Sequence, residues 1–149
     1  MALARNSATK EIVLVESDFL FGLGKSDKRH AQVIRSLEMH KSGKMQIQVL
    51  STAVVEVRSV LYSRRLEAKQ TEEFFALMSE ILSEYGVETF VPTEPSDVII
   101  AERMRAESAA LTFFDSLYAA TSKRLNLKLL SSDGIYARIG LQTIDLDEI

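Results

Sequence analysis

Apolar positions in this chain switch repeatedly between a strand-like and a helix-like period. Ile12–Val15 is a short run with β-branched residues, which predicts a buried strand; it stops at Glu16, Ser17 and Asp18, and Phe19, Leu20, Phe21 and Leu23 then resume apolar character. Gly22 and Gly24 with Lys25, Ser26 and Asp27 mark a loop. From Lys28 onward Ala31, Ile34, Leu37 and Met39 fall at helical spacing, and Ser42 and Gly43 end that helix. Gln46–Leu50 alternates polar and apolar as a second strand. Ser51 or Thr52 then caps a helix with Ala53, Val54, Val57, Val60 and Leu61 inward. Another helix spans Gln70–Glu84, with Phe74, Leu77, Met78, Ile81 and Leu82 inward and Gly86 just past its end. Val87–Val91 reads as a third strand bounded by Pro92 and Pro95. Ser96 or Asp97 caps a helix to about Glu107, with Ile99, Ile100 and Met104 inward. A helix from Leu111 to about Asn126, a strand at Lys128–Leu130, a short helix over Gly134–Ile139 and a last strand at Gln142–Leu146 complete the pattern.

Strands alternating with helical segments of ten or more residues predict an α/β fold. The expected architecture has three layers, α/β/α, around a mainly parallel central sheet of four to five strands. The 149 residues contain no internal repeat or linker, which predicts one domain over 1–149, with the small, polar stretch Met1–Thr9 as a flexible end. The absence of cysteine removes disulfides, thiolate zinc sites and thiol nucleophiles from consideration. No apolar run approaches the length of a membrane span, and Met1–Lys10 lacks the apolar core of a signal peptide, so a cytoplasmic protein without membrane contact is expected. A net charge of −3 argues against a protein that merely coats polyanions. It does not argue against one whose acids bind cations, because neutralising five carboxylates would leave the remainder positive.

The acids are placed unevenly. In open α/β sheets ligands bind beyond the carboxyl ends of the strands. Glu16 and Asp18 follow the first strand, Asp133 follows a later one, and Glu56 and Asp115 lie near the N-terminal parts of two helices. Asp133 before Gly134 has an ordinary explanation as a turn or cap residue, and Thr112–Asp115 has one as a capping box. Glu56 does not: with Thr52 as cap the box position is Val55, and Glu56 sits beside the buried stripe, where an unpaired carboxylate is expensive. Glu16 and Asp18, two apart in extended chain, face the same side; a turn aspartate with a salt bridge would be the plain account of them. Gathered at one edge, such carboxylates raise one another's pKa values unless a cation neutralises them. Oxygen ligands without cysteine suit Mg²⁺ or Mn²⁺, which can activate water for in-line attack on a phosphodiester.

Four segments in this order resemble the PIN-domain family of metal-dependent nucleases, including the toxins of VapBC-type toxin–antitoxin pairs. They are Ile12–Leu23 (IVLVESDFLFGL), Ser51–Leu61 (STAVVEVRSVL) with Glu56, Leu111–Thr121 (LTFFDSLYAAT) with Asp115, and Leu129–Ile139 (LLSSDGIYARI) with Ser131 ahead of Asp133 and Tyr136 at an aromatic packing position. The resemblance spans nearly the whole chain. It implies an Mg²⁺- or Mn²⁺-dependent endoribonuclease with Asp18, Glu56, Asp115 and Asp133 as catalytic and metal-binding acids, Glu16 as a further metal-binding candidate, and Ser17 and Ser131 in support. It also implies an RNA substrate, a small antitoxin protein as partner and a homodimer. One departure stands out: Glu16 occupies the position where the family's opening Asp belongs, and Asp18 falls where an Asn is usual. Either Glu16 reaches the metal or Asp18 takes over with Glu16 behind it; Asp18 is favoured.

The remaining candidates are basic and aromatic. Arg58, Arg64 and Arg65 on or after the Glu56 helix, and Lys123 on the Asp115 helix, are candidate RNA phosphate contacts, although a solvated face is the plainer account of them. The same holds for Lys69, Arg124 and Lys128. His30 and His40 read as solvated rather than catalytic, and Phe75 exceeds a single buried stripe, as a dimer face or partner groove would. Two other readings compete within this fold. One is an RNA-processing nuclease with the same acids, which competes with the toxin role and not with the nuclease chemistry; the other is a binding or scaffold module in which Glu16 marks a degraded site. A phosphoacceptor signalling domain would need an Asp just after the third strand and a late Lys, but Val87–Glu94 offers only glutamates and Leu130 is followed by Ser131, Ser132 and Asp133.

Overall fold

Val13, Leu14 and Val15 are all fully buried. Neighbouring strand residues point to opposite faces, so the sheet that holds them is covered on both sides. The computed structural model describes residues 10–149, and the stretch Met1–Thr9 expected to be a flexible end lies outside them. The strand is β1 (Glu11–Val15), at the centre of a five-stranded sheet of order β3-β2-β1-β4-β5, with β2 Met45–Leu50, β3 Phe90–Val91, β4 Lys128–Ser131 and β5 Thr143–Asp145. Every pairing is parallel. The fold is therefore α/β, with the expected sheet at its upper strand count and, among the described residues, no antiparallel member.

Between the strands run α1 (Ser17–Phe21), α2 (His30–Lys41), α3 (Ser51–Ser63), α4 (Ala68–Glu84), α5 (Pro95–Glu107), α6 (Phe113–Leu125) and α7 (Ile135–Arg138), and a 3-10 helix closes the chain at Leu146–Glu148. Helix α2 packs on β2 and on the closing 3-10 helix, while α3 packs on β2, α1 and α6, and α6 on β4 and α5. One core cluster joins the strands to Phe19, Leu20, Val33, Leu37, Met78 and Tyr118. Burying a side chain such as Leu14 stabilises by about 1.5–3 kcal/mol, and truncating it to Ala costs about 2–5 kcal/mol once the cavity is included.

Several helix details differ from the periodicity reading. No hydroxyl caps α3: Ser51 is already helical, and the cap position falls to Leu50, which has no side-chain bond to give. In α2 the buried residues are Val33, Ser36 and Leu37, and Ala31 is exposed because, two residues before Val33, it falls on the opposite side of the helix. On α4 the inward row is Phe74, Met78, Ile81 and Leu82, and Leu77 falls to one side of it, half exposed. Helix α5 is capped by Glu94 in a reciprocal box with Asp97, with Pro95 in its first turn. Its contact with α6 is made by the small Ala101 against Leu117 and Ala120, which leaves Ile99 outside. Strand β3 is only two residues long. Val87 is consumed in ending α4, and Pro92 cannot donate to the ladder.

Two glycines are required by geometry. Gly86, at φ +76°, ends α4 in a Schellman turn in which the Val87 N–H reaches the Leu82 carbonyl at 2.9 Å, with both side chains buried. At Gly22 a Cβ would stand 2.5 Å from a methyl group of Val33, so only glycine lets the end of α1 meet α2.

Candidate functional site

The strand order reverses at β1, whose two neighbours are β2 and β4. That switch point opens a crevice beyond the carboxyl ends of the strands. Val15 pairs with Leu130, so the next residues of the two strands, Glu16 and Ser131, come side by side. The Ser131 hydroxyl lies 2.9 Å from Glu16 Oε1 and 3.3 Å from Asp18 Oδ2, and Ser17 Oγ lies 3.4 Å from Glu16 Oε2. Ser132 grips Asp18 Oδ2 with both its backbone N–H, at 2.7 Å, and its hydroxyl, at 2.6 Å. The other oxygen, Asp18 Oδ1, is buried and has no hydrogen-bond partner among the described residues. Glu16 itself is 5% exposed.

The donors around this pair are neutral. Burial pushes the Glu16 carboxyl well above the usual carboxylate range. The charge of Asp18 and a hydrogen bond shared with it raise it further, the Ser131 hydroxyl works the other way, and the Glu56 charge adds a smaller push upward. Arg29 is within electrostatic reach of Asp18, but its guanidinium is bonded to Asp147 at 2.8 Å.

Two tyrosines bring in the remaining acids. The fully buried Tyr118 of α6 donates its hydroxyl to Glu56 Oε2 on α3. The fully buried Tyr136 of α7 donates to Asp115 Oδ1 at 3.2 Å. Burial first, then its hydrogen bond to Glu56 and the charges of Glu56 and Glu16, keep the Tyr118 hydroxyl protonated, with Ser17 acting weakly in the opposite direction. Burial, then the charges of Glu16 and Asp115, the Asp115 hydrogen bond and the charge of Asp133, do the same for Tyr136. Both phenols thus feel Glu16, one on the side of Glu56 and the other on the side of Asp115 and Asp133.

All five predicted acids therefore face one edge. The local explanations for two of them hold as well. Asp115 makes its capping box with Thr112, its N–H 3.2 Å from Thr112 Oγ1 and its Oδ2 3.3 Å from the Thr112 N–H. Asp133 receives the Ile135 N–H at 2.9 Å and gives its own to Ser131 Oγ at 3.1 Å. Glu56 has no capping role, as expected. The donor set is all oxygen, and a buried unpartnered Asp18 oxygen beside a destabilised Glu16 is what a divalent cation would satisfy. Yet among the described residues no group of three or more His, Cys, Asp or Glu side chains is arranged, as it stands, to hold a metal ion.

The basic candidates divide. Arg58 on α3 is exposed two residues past Glu56, beside an open depression of about 410 Å³ lined also by Val54, Val55, Ser59, Tyr62 and Phe75. Phe75, singled out in the sequence, is thus at a surface. Arg64 lies over the Phe21 ring, 5.4 Å from its centroid, and Arg65 is in the left-handed region at φ 59°. Lys123 is not brought near the acids: it lies about 12 Å along α6 from Asp115, at eight residues and 1.5 Å each. Arg124 and Lys128, read as a solvated face, are bound instead, to Asp97 at 2.6 Å and to Glu11 at 2.6 Å. Neither histidine is merely solvated. His30 Nδ1 donates to the Gly22 carbonyl at 2.9 Å, and His40 accepts the Ile47 N–H on Nδ1 and donates to the Gly86 carbonyl from Nε2, each at 3.0 Å.

The sequence reading has no place for Ser132 or for the tyrosine hydroxyls. A tyrosine three residues after Asp115, on the same helix face, is the one local signal available for Tyr118.

Three comparisons place the chain. No curated protein sequence matches it. Among solved structures, VapBC2 from Rickettsia felis, bound to a DNA fragment from its promoter, superposes with a TM-score of 0.69 at 16% identity, over 90% of this chain and 98% of that one. FitAcB from Neisseria gonorrhoeae gives 0.67 at 14% identity, over 92% and 99%. VapC20 from Mycobacterium tuberculosis, a toxin that cleaves the sarcin–ricin loop, gives 0.65 at 17% identity, over 87% and 95%. At these identities the likeness is one of fold. The PIN domain family model matches residues 13–141, from the first buried residue of β1 to the turn before β5, and the chain belongs to the PIN domain family.

Proposed function

We propose that this chain is a divalent-cation-dependent endoribonuclease, folded as one cytoplasmic domain, and the toxin of a toxin–antitoxin pair. The observation that carries the reading is the pairing of buried Glu16 with half-buried Asp18 at the switch point, compensated among the described residues by neutral donors and faced by Glu56, Asp115 and Asp133. Asp18, through Oδ1, with Glu16, Glu56, Asp115 and Asp133, would hold Mg²⁺ or Mn²⁺. When bound, such a cation supplies charge neutralisation and Lewis acidity toward a phosphodiester.

The chain's own residues supply the rest. Ser131 and Ser132 tie Asp18 and Glu16 to the start of the loop that carries Asp133, which links the acids that follow β1 to the one that follows β4. The capping box fixes Asp115 at the first turn of α6, where the helix dipole favours a carboxylate. Arg58 is exposed two residues past Glu56 on α3, so it faces away from that acid, and a phosphate of the RNA strand that it meets would lie across the helix from the carboxylates. The depression beside it, with Val55 and Tyr62 on its rim, suits an apolar segment of a small antitoxin. The structural likeness to chains of VapBC and FitAB complexes supports the antitoxin partner.

Structured and single-stranded RNA incubated with and without Mn²⁺ tests the assignment. Cleavage is expected only with the cation, and it falls at least about a hundredfold in Asp115→Asn, since losing even outer partners of a metal site costs 10–100-fold. Unchanged cleavage in that variant sinks the proposal. A second reading, a scaffold that has lost its chemistry, is favoured by the absence of a ready-made three-acid cluster among the described residues. Calorimetric titration with Mn²⁺ separates the two, because a scaffold needs no tight site.

A further inference from the structure

We propose that Tyr118 and Tyr136 are positioning residues for the divalent cation, fixing the carboxylates of Glu56 and Asp115 on either side of Glu16 before a cation arrives. The inference rests on the cation-dependent reading above and adds the groups that set its affinity.

Both rings are fully buried and sit in the core cluster, where phenylalanine would fill nearly the same volume without taking a hydroxyl out of water. A buried hydroxyl costs stability unless it is bonded, so its partner matters. Here each partner is an acid far away in the chain, 62 residues from Tyr118 and 21 from Tyr136. The two bonds run from α6 to α3 and from α7 to α6, and together they lace three helices around the carboxyl end of β1. Tyr118 is itself held flat against Phe114, ring centroids 6.4 Å apart and planes at 27°. A phenol is a suitable clamp because it is neutral. It occupies one oxygen of the carboxylate and fixes its direction without cancelling the charge that a cation needs, which a guanidinium would do. Pinning a long glutamate in advance also removes freedom that binding would otherwise have to remove.

The test is Mn²⁺ titration by calorimetry of the wild-type protein, Tyr118→Phe, Tyr136→Phe and the double variant, with thermal unfolding in chelator recorded on each. The dissociation constant is expected to rise roughly tenfold for each single variant. For the double it should rise about a hundredfold, because the two hydroxyls act on different acids. Each single variant keeps its ring, and each is an independent arm if the other folds poorly. Unchanged affinity, even with a lowered unfolding temperature, means the hydroxyls serve packing alone and overturns the proposal. Tighter binding means they compete with the cation and overturns it as well. A wild-type protein with no Mn²⁺ site at all overturns the cation-dependent reading and this inference with it.

Discussion

Asp97 and Glu16 are both almost wholly shielded from water, at 0% and 5% exposure, yet Asp97 meets a guanidinium while Glu16 meets other acids. Arg124 engages Asp97 with both arms, Nε to Oδ1 at 2.6 Å and Nη2 to Oδ2 at 3.0 Å, and the Glu94 N–H adds a third bond at 2.9 Å. Burial alone would raise the Asp97 carboxyl. The Arg124 hydrogen bond, the Glu94 N–H, the Arg124 charge and Thr121 outweigh it and hold the group below its ordinary value. Around Glu16 the same burial is unopposed by any bonded cation, and the carboxyl rises. The two sites put the same side-chain chemistry in opposite surroundings: one joins α5 to α6 through a bonded guanidinium, and the other leaves a buried carboxyl among neutral donors and further acids.

Removing the cation from the satisfied site should give the largest effect. Arg124→Ala leaves Asp97 buried and unpaired, and a loss of about 3 kcal/mol is expected, at the lower end for a broken buried pair because Arg124 is partly exposed. Denaturant unfolding measures it, and Mn²⁺ affinity should not change. A loss under about 1 kcal/mol would mean that Asp97 is not the structural half of the contrast.

The acid site should respond in the other direction. A folded-state carboxyl raised above its unfolded value gives stability that is present below about pH 4.5 and lost as pH climbs through the raised value. For Asp97 the sense is reversed: its contribution is present above about pH 3.8 and lost only as pH falls through its lowered value. In chelator, therefore, Glu16→Gln should be more stable than wild type at neutral pH by on the order of 1–2 kcal/mol, the cost of an uncompensated buried polar group. The gap should widen as pH rises from about 4.5. Thermal unfolding across that range is the measurement, and parallel curves for the two proteins would show that Glu16 carries no such burden.

This contrast also marks where the sequence is readable. The β/α alternation, the doubly covered strand at Ile12–Val15 and the stop signal at Gly86 are local patterns, and they reappear in the structure. The convergence of the five acids was legible because strand ends and helix starts are themselves readable positions, and Glu56 stood out by missing a cap. What could not be read is pairing between distant residues. Asp97 looks like a cap and Arg124 like a solvated cation, since they lie 27 residues apart on two different helices. The hydroxyls of Tyr118 and Tyr136 sit in stripes whose spacing predicts only core. His40 looked solvated because its partners, Ile47 and Gly86, are backbone atoms that no side-chain pattern reports. Misplaced stripe members such as Leu77 and Ile99 have a related cause: periodicity gives a face, but the neighbouring helix decides how wide that face is.

The smallest expected effect tests whether the acid site is really compensated by neutral donors alone. Ser132→Ala removes one hydroxyl from Asp18 Oδ2, while the Ser132 N–H at 2.7 Å and the Ser131 hydroxyl remain. Because no charge is uncovered, the loss should be about 1 kcal/mol or less, the net worth of a single neutral donor, against about 3 kcal/mol for Arg124→Ala. Denaturant unfolding of the two variants side by side reads the ratio directly. Equal losses would mean that the serine holds Asp18 as firmly as a guanidinium holds Asp97. The Glu16–Asp18 pair would then be a settled structural element, with no unmet demand for a cation.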